Sequence, residues 1–130
     1  MKHLQVLSFA LLIIFLSCNN SQTKNSEKVV SFISGIYVRA FEGEFSTGND
    51  TLIIDQPDAG NNYYTIQHNS SYQKIKDKQL QPLEYKSEDW TAIFNEKDNI
   101  LVEQKKGKMI SFLPDQNELL LGSSRFHKIK

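Results

Sequence analysis

Cysteine, long apolar runs and excess charge are all scarce in this chain, and each shortage excludes a class of structure. The single cysteine, Cys18, cannot form a disulfide within the chain, so disulfides do not hold the fold together. Fifteen basic and fifteen acidic residues balance, which argues against nucleic acid as a partner. The longest apolar run, residues 6–16 with Ser8 inside it, is far shorter than the roughly 20 residues of a membrane-spanning helix.

Residues 1–17 have the organisation of a secretory signal peptide. Lys2 supplies the positive charge, residues 6–16 form the apolar segment, and Ser17 is the small residue before the cleavage point. The ending Phe15-Leu16-Ser17-Cys18 resembles the lipobox of bacterial lipoproteins, in which the signal is removed just before the cysteine. Phe15 departs from the usual pattern, because lipoboxes most often have Leu three positions before the cysteine.

The lipobox resemblance implies that Cys18 carries a diacylglyceryl thioether and an N-acyl chain. Each buried methylene contributes about 0.8 kcal/mol, and two or more acyl chains hold a protein stably on a membrane. We therefore expect attachment to a bacterial membrane through Cys18 and a location in the cell envelope. The neutral stretch Asn19-Asn20-Ser21 favours the outer membrane facing the periplasm, because an acidic run at this point directs some lipoproteins to the cell surface.

The rest of the chain divides into a linker and one domain. Residues 18–28 contain no apolar side chain after Cys18, so they are predicted to form a flexible tether. Residues 29–130 suffice for a single domain. Residues 29–33 form a short apolar segment that fits either one helical turn or the approach to the first strand.

Alternating apolar and polar residues predict eight to ten short β-strands in this domain, with turn signals every 8–12 residues. Residues 42–50 are predicted to be an acidic loop, residues 69–71 a break between strands, and residues 80–85, which contain Pro82, at best an edge strand. No segment after residue 33 has a sustained helical period. The expected fold is all-β, a small antiparallel meander that closes into a barrel to protect its edges.

Three residues of this pattern resemble the lipocalin and calycin-like barrels. Gly35 and Tyr37 form a Gly-x-Tyr start to the first strand, and Arg125 lies in the last strand. Lipocalins usually have Trp at the position of Tyr37. The resemblance implies a lipocalin-like barrel and, as one candidate function, the carriage of a small apolar ligand.

Tyr37, Tyr64 and Trp90 are the candidate contacts for a ligand or partner, since aromatic side chains often line the mouth of a barrel. The alternative is that they pack the core, and we favour it because small barrels are generally filled by their own side chains.

The sequence contains no motif that predicts catalysis or metal binding. His68 and His127 lack neighbours at metal-ligand spacing, and no Gly-x-Ser-x-Gly motif is present. The acidic residues lack the spacing of a helix–loop–helix calcium site. Residues 105–108, which are three lysines and Gly107, are predicted to form a soluble turn, with contact to anionic head groups or to another protein as the alternative. We expect no catalytic residue, metal or cofactor.

Two functions follow from these expectations. The first is a non-enzymatic interaction or accessory module that binds another envelope protein, and the second is a lipocalin-like carrier of a small apolar ligand. A third class, an enzyme or enzyme inhibitor, has no motif in its favour. A carrier needs an enclosed apolar cavity of about 300 Å³ or more. An interaction module needs an exposed apolar patch of several hundred Å².

Overall fold

The computed structural model describes residues 20–130, which form one helix and nine strands. The predicted signal peptide (1–17) and Cys18 lie outside the described residues. The elements are α1 (Asn20–Ile33), β1 (Gly35–Glu42), β2 (Ser46–Asp55), β3 (Tyr63–Lys76), β4 (Gln79–Leu80), β5 (Glu84–Asn95), β6 (Ile100–Glu103), β7 (Met109–Leu113), a 3₁₀ turn (Pro114–Gln116), β8 (Glu118–Leu121) and β9 (Ser124–Lys128).

Eight strands form a closed antiparallel barrel, which confirms the predicted all-β meander. The strands follow the order β2, β1, β9, β8, β7, β6, β5, β3, and pairing between β2 and β3 closes the ring. All of the pairings are antiparallel, and apart from the pairing of β1 with β9 they join strands that follow one another around the barrel by short connections, as in an up-and-down barrel. The ninth strand, β4, pairs only with the end of β3.

The strands at the start of the barrel are longer than the sequence predicted. The predicted acidic loop at residues 42–50 is wrong, because β1 extends to Glu42 and β2 begins at Ser46. The predicted break at residues 69–71 is also wrong, because β3 is continuous from Tyr63 to Lys76. Both segments have polar side chains on the two faces of the strand, a pattern typical of loops. Pairing with strands on both sides holds them in the sheet: β2 lies between β1 and β3, and β3 lies between β2 and β5.

The structure also differs from the predicted flexible tether, because residues 20–28 belong to helix α1. Val29 and Ile33, one turn apart, are 4% and 0% exposed and join the barrel core. The Ser26 hydroxyl donates a hydrogen bond to the Asn99 side-chain oxygen over 2.9 Å, and Lys28 forms an ion pair with Asp115. Helix formation here depends on contacts with the barrel, which a polar sequence does not reveal.

Helix α1 covers the end of the barrel at which β1 begins, and two side chains satisfy its last carbonyls. The Tyr37 hydroxyl lies 2.5 Å from the Phe32 carbonyl oxygen and 3.0 Å from that of Ile33. The Lys128 ammonium donates to the Phe32 carbonyl over 2.6 Å. A cation at this position also interacts favourably with the negative end of the helix dipole. Burial raises the pKa of Tyr37 and lowers that of Lys128.

Apolar side chains fill the interior next to α1. Members of this core come from α1 and from every strand of the closed barrel. They are Val29, Ile33, Tyr37, Leu52, Ile54, Tyr64, Ile66, Trp90, Ala92, Phe94, Leu101, Ile110, Phe112, Leu119 and Phe126. In β1, Tyr37 is buried inside the barrel, and Val38, which pairs with His127, lies on the outer side.

Four strands extend beyond the closed barrel at the end opposite α1. β5 pairs with β3 from Glu84 to Ile93, but β6 pairs with β5 only from Ala92 to Asn95. On the other side, β9 pairs with β1 only at Tyr37 and Val38. The extended parts of β1, β2, β3 and β5, together with β4, form a projecting sheet that we call the arm.

Candidate functional site

The inner face of the arm continues the barrel interior but carries polar side chains. Antiparallel register places Arg39 opposite Asp50 and Asp50 opposite Ser70, all at positions that alternate with outward-facing residues. These side chains lie at the open end of the barrel, above the apolar core. We call the group the mouth cluster; its members are Arg39, Asp50, His68, Ser70, Lys86 and Glu88.

Asp50 is the centre of the mouth cluster. It is only 6% exposed, and both of its carboxylate oxygens are hydrogen bonded. Arg39 Nε donates to Oδ2 over 2.8 Å, and the Ser70 hydroxyl donates to Oδ1 over 2.5 Å. His68 Nε2 lies 3.3 Å from the same Oδ1. A second nitrogen of Arg39 donates to the Ser124 hydroxyl, which ties β1 to β9 across the gap where their pairing ends.

The ionisation of Asp50 reflects two opposing effects. Burial by itself raises the pKa of the carboxyl, because a charge is costly away from water. The hydrogen bonds from Ser70 and Arg39, with the positive charge of Arg39, outweigh that penalty and hold the pKa of Asp50 below its usual range. Asp50 is therefore a carboxylate at neutral pH, and it organises three donors around itself.

Trp90 forms the floor beneath the other half of the mouth cluster. The His68 ring centroid lies 4.9 Å from that of Trp90, and the Lys108 ammonium lies 4.1 Å above the Trp90 ring. Glu88 Oε1 pairs with Lys86 over 3.2 Å, while its Oε2 lies 3.9 Å from His68 Nδ1. The hydrogen bond and charge of Lys86 lower the pKa of Glu88. Positive and negative side chains alternate around the mouth.

The geometry of the cluster does not match a nucleophilic relay. In such a relay one ring nitrogen of His takes the Ser proton while the other is held by a carboxylate. Here Ser70 and Asp50 both approach Nε2 of His68, and Ser70 donates its proton to Asp50. Glu88 lies beyond hydrogen-bond distance of Nδ1. Within residues 20–130, no group of three His, Cys, Asp or Glu side chains is placed to hold a metal ion.

The buried Glu103 stabilises the turn at residues 105–108, which was predicted to be a basic, soluble turn. Its carboxylate accepts hydrogen bonds from the backbone N–H groups of Lys105 and Lys106, over 2.7 and 2.9 Å. Burial raises the pKa of Glu103, but these bonds outweigh the penalty and the pKa is lowered. The turn thereby holds Lys108 over Trp90.

The three aromatic residues predicted as contacts are all buried. Tyr37 and Tyr64 are 0% and 1% exposed and pack inside the barrel, so a partner on the outer surface does not touch them. Trp90 is 8% exposed and is the one of the three that borders the mouth cluster. Cys18, the predicted lipidation site, lies outside the described residues.

Sequence reasoning missed the residues around Asp50. The predicted loop at residues 42–50 includes Asp50, and neither Arg39 nor Ser70 belongs to a predicted site. A signal was present: each continues, at a spacing of two, the inward positions marked by Tyr37, Leu52 and Ile66. The signal was weak because polar residues also occupy the outward positions of the same segments.

The outer surface of the arm carries exposed apolar side chains. Phe45, Leu80, Leu83 and Tyr85 are 74%, 60%, 52% and 78% exposed. The Phe45 carbonyl accepts a hydrogen bond from the Ile75 N–H, and Ile75 pairs with Leu80, so these three lie side by side across the end of the arm. We call Phe45, Leu80, Leu83 and Tyr85 the apolar strip.

Two depressions lie on the outside of the barrel. One of about 720 Å³ crosses β1, β2, β8 and β9 near Arg125 and His127 and reaches Arg39 and Asp50 of the mouth cluster where β1 and β9 separate. The other, of about 400 Å³, crosses β2, β3 and β5 near Asp55 and Asp89. Both open to solvent and are lined largely by polar or charged side chains. Neither has the enclosed apolar form that a carrier of an apolar ligand requires.

Together, these features define the class of protein as a closed eight-stranded antiparallel barrel with a polar mouth and a projecting arm. Comparison of the chain with protein families, curated proteins and solved structures gives no match. Among residues 20–130, no helix has the length and apolar character needed to cross a bilayer.

Proposed function

We propose that this chain is a bacterial lipoprotein held in the cell envelope by acylated Cys18, and that its lipocalin-like barrel is a non-enzymatic module that binds another envelope protein. The lipobox-like sequence Phe15-Leu16-Ser17-Cys18 supports the anchor. The apolar strip supports the binding role, and the proposal depends chiefly on this observation.

Two members of the apolar strip, Phe45 and Leu80, lie on either side of Ile75 at the end of the arm, and the other two, Leu83 and Tyr85, are exposed where the chain enters β5. Other exposed large apolar residues among residues 23–130 are Val30, Met109 and Ile129, and none of them belongs to the arm. Clusters of exposed apolar groups mark interaction sites, whereas single ones are ordinary.

The filled interior favours this role over that of a carrier. Bulky side chains such as Tyr64, Phe94 and Phe126 occupy the centre of the barrel and are at most 4% exposed. A closely packed core leaves no free volume for a ligand, so an apolar ligand has to displace well-packed side chains. The polar mouth cluster adds a second obstacle, because such a ligand has to pass it from the open end.

The position of the strip also fits attachment through Cys18. Helix α1 begins two residues after Cys18 and packs against the end of the barrel opposite the arm. A short connection of this kind holds the barrel near the membrane surface, with α1 as the element next to the anchor. The arm is then the part of the molecule best placed to reach a partner.

The anchor is tested by Cys18→Ser, which removes the thiol that the acyl chains require. We expect loss of fatty-acid labelling and transfer of the protein from the membrane to the soluble fraction. Intact mass of the native product provides the second readout, since acylation adds a diacylglyceryl group to a chain that begins at Cys18. Unchanged membrane association of the variant would count against the anchor.

The binding surface is tested by placing a photo-crosslinking amino acid at Phe45 or Tyr85 in the full chain, in its own membranes. We expect one and the same protein adduct from both positions. The matched control is Met109, which is 61% exposed but lies on the barrel wall. Phe45→Ser with Leu80→Ser should abolish the adduct at Tyr85. Equal adducts from Met109, or none from the arm, would exclude the strip as the binding surface.

A further inference from the structure

One edge of β5 has no neighbouring strand over residues 84–90 of the described chain. β3 occupies the opposite edge along this whole segment, and β6 pairs only from Ala92 onward. The turn after β6 contributes one bond, from the Gln104 N–H to the Thr91 carbonyl over 2.9 Å. From Trp90 back to Glu84 this edge of β5 is open.

That one bond establishes which backbone groups face the open edge. Backbone groups of successive residues in an antiparallel strand point to opposite sides, so the odd-numbered residues of β5 point away from β3. The bond from the Phe94 N–H to the Asn62 carbonyl, on the β3 side, agrees with this alternation. The N–H and C=O groups of Tyr85, Ser87 and Asp89 therefore project from the edge without a strand to accept them.

The charges along this edge are complementary to those of a second, antiparallel copy of the same edge. Lys86 and Glu88 lie on the inner face on either side of Ser87, while Tyr85 and Asp89 flank it on the outer face. A second copy of β5, paired antiparallel through a two-fold axis at Ser87, places Lys86 opposite Glu88 twice. An axis one residue earlier or later would place Lys86 opposite Lys86 or Glu88 opposite Glu88, and like charges directly opposite are destabilising.

The length of the open edge points to the same axis. Pro82 and Leu83 interrupt the strand on one side, and the bond to Thr91 closes the edge on the other. The midpoint of residues 84–90 is Ser87. An axis there allows Ser87 to pair with Ser87 and Tyr85 with Asp89, which forms about six backbone hydrogen bonds between the copies.

We propose that two copies of this chain associate through this edge, with their β5 strands antiparallel about a two-fold axis at Ser87. The two arms then form one continuous sheet, and the open edge that each copy exposes is covered. Anchoring of both copies in one membrane favours the association, because it raises their effective concentration. Tyr85 belongs both to the apolar strip and to this edge, but the pairing of the β5 strands does not require that the strip bind another protein.

Disulfide trapping in the native membrane tests this arrangement. Ser87→Cys in the full chain places two thiols opposite each other, with Cα atoms about 5.5 Å apart, which is within the range that a disulfide spans. Diamide accepts the two electrons and two protons that the thiols lose as the bond forms. We expect a covalent dimer from Ser87→Cys, and only background from the parent chain and from Gln67→Cys, which is exposed on the neighbouring β3.

The register is tested by charge. Adding Lys86→Glu to Ser87→Cys should lower the dimer yield about threefold to tenfold, because a carboxylate at position 86 then faces Glu88. Adding Glu88→Lys as well should restore the yield, with circular dichroism confirming that each variant is folded. Tyr85→Cys alone should give background only, and coexpression with Asp89→Cys should give dimer. No dimer from Ser87→Cys, or a yield unaffected by Lys86→Glu, would overturn the proposal.

Discussion

At the scale of single residues, Tyr37 and Asp50 show how a polar group determines local structure inside an apolar barrel. Each is buried, and each has its polar atoms satisfied by partners from other elements. A buried polar group without partners costs about 1–3 kcal/mol, so such residues favour one arrangement over its alternatives. Among residues 23–130, no buried side-chain nitrogen or oxygen is without a hydrogen-bond partner.

Tyr37→Phe should lower the free energy of unfolding by about 1–3 kcal/mol, because the carbonyl groups of Phe32 and Ile33 lose their hydroxyl donor. Urea denaturation followed by circular dichroism measures the change. The control is Tyr63→Phe, a half-buried tyrosine on β3, for which a change within about 0.5 kcal/mol is expected. Equal effects of the two substitutions would contradict the capping role of Tyr37.

Trp90→Ala should cost about 3–5 kcal/mol, because Trp90 is buried beneath His68 and Lys108. The matched variant is Tyr85→Ala, which removes an aromatic side chain that is 78% exposed on the same strand. Its effect on the free energy of unfolding should be much smaller. A comparably small effect of Trp90→Ala would show that Trp90 does not belong to the core.

At the scale of elements, the arm depends on a close approach between β2 and β3. A Cβ atom added at Gly48 would lie 2.2 Å from the Ser71 carbonyl oxygen and 2.7 Å from Tyr72 Cα. Both are backbone atoms, so no side-chain rotation relieves the clash. Helix α1 and the strands of the arm are both longer than the sequence predicted, because contacts with other segments supply their stability.

Gly48→Ala should therefore displace β2 from β3 and lower the free energy of unfolding by about 1–3 kcal/mol. Amide hydrogen exchange should show the loss of protection concentrated in β2 and β3 of the arm. Gly43→Ala is the control, because a Cβ there lies 3.4 Å from the nearest atom, an ordinary contact. Uniform loss of protection across the barrel would argue against a local effect at the strand crossing.

At the scale of the whole molecule, closure divides the barrel into two chemically different halves. Helix α1 and the apolar core occupy one end, and buried carboxylates with their donors occupy the other. Asp50 and Glu103 both have lowered pKa values in the folded state, so unfolding at low pH is accompanied by proton uptake. Their contribution to stability is present above the pKa of an unfolded carboxyl and is lost as the pH falls through the folded values.

The free energy of unfolding should thus be nearly constant between about pH 7 and pH 5 and should decline below about pH 4. Denaturant titrations across this range measure it. Asp50→Asn should lower the stability at pH 7 by about 1–3 kcal/mol and make the acid decline shallower. An unchanged slope in this variant would mean that Asp50 does not contribute to the pH dependence.

The amino-acid pattern alone was enough to establish the all-β class and the approximate number of strands. These features depend on neighbours at a spacing of two and on local turn chemistry, so a single segment contains the signal. The shorter strands from β6 to β9 were recognised for the same reason. Most of their buried positions are apolar, with Glu103 the exception, and turns bound them closely.

The helix, the length of the arm and the mouth cluster emerged only from the folded arrangement. Arg39, Asp50 and Ser70 become neighbours because the register of three consecutive strands places them side by side, and none of them shows this in its own segment. Helix α1 is ordered because Val29 and Ile33 find an open barrel end to cover. A pattern of apolar residues within one segment predicts which side chains are buried. A buried polar network depends on side chains from several strands, so no single segment predicts it.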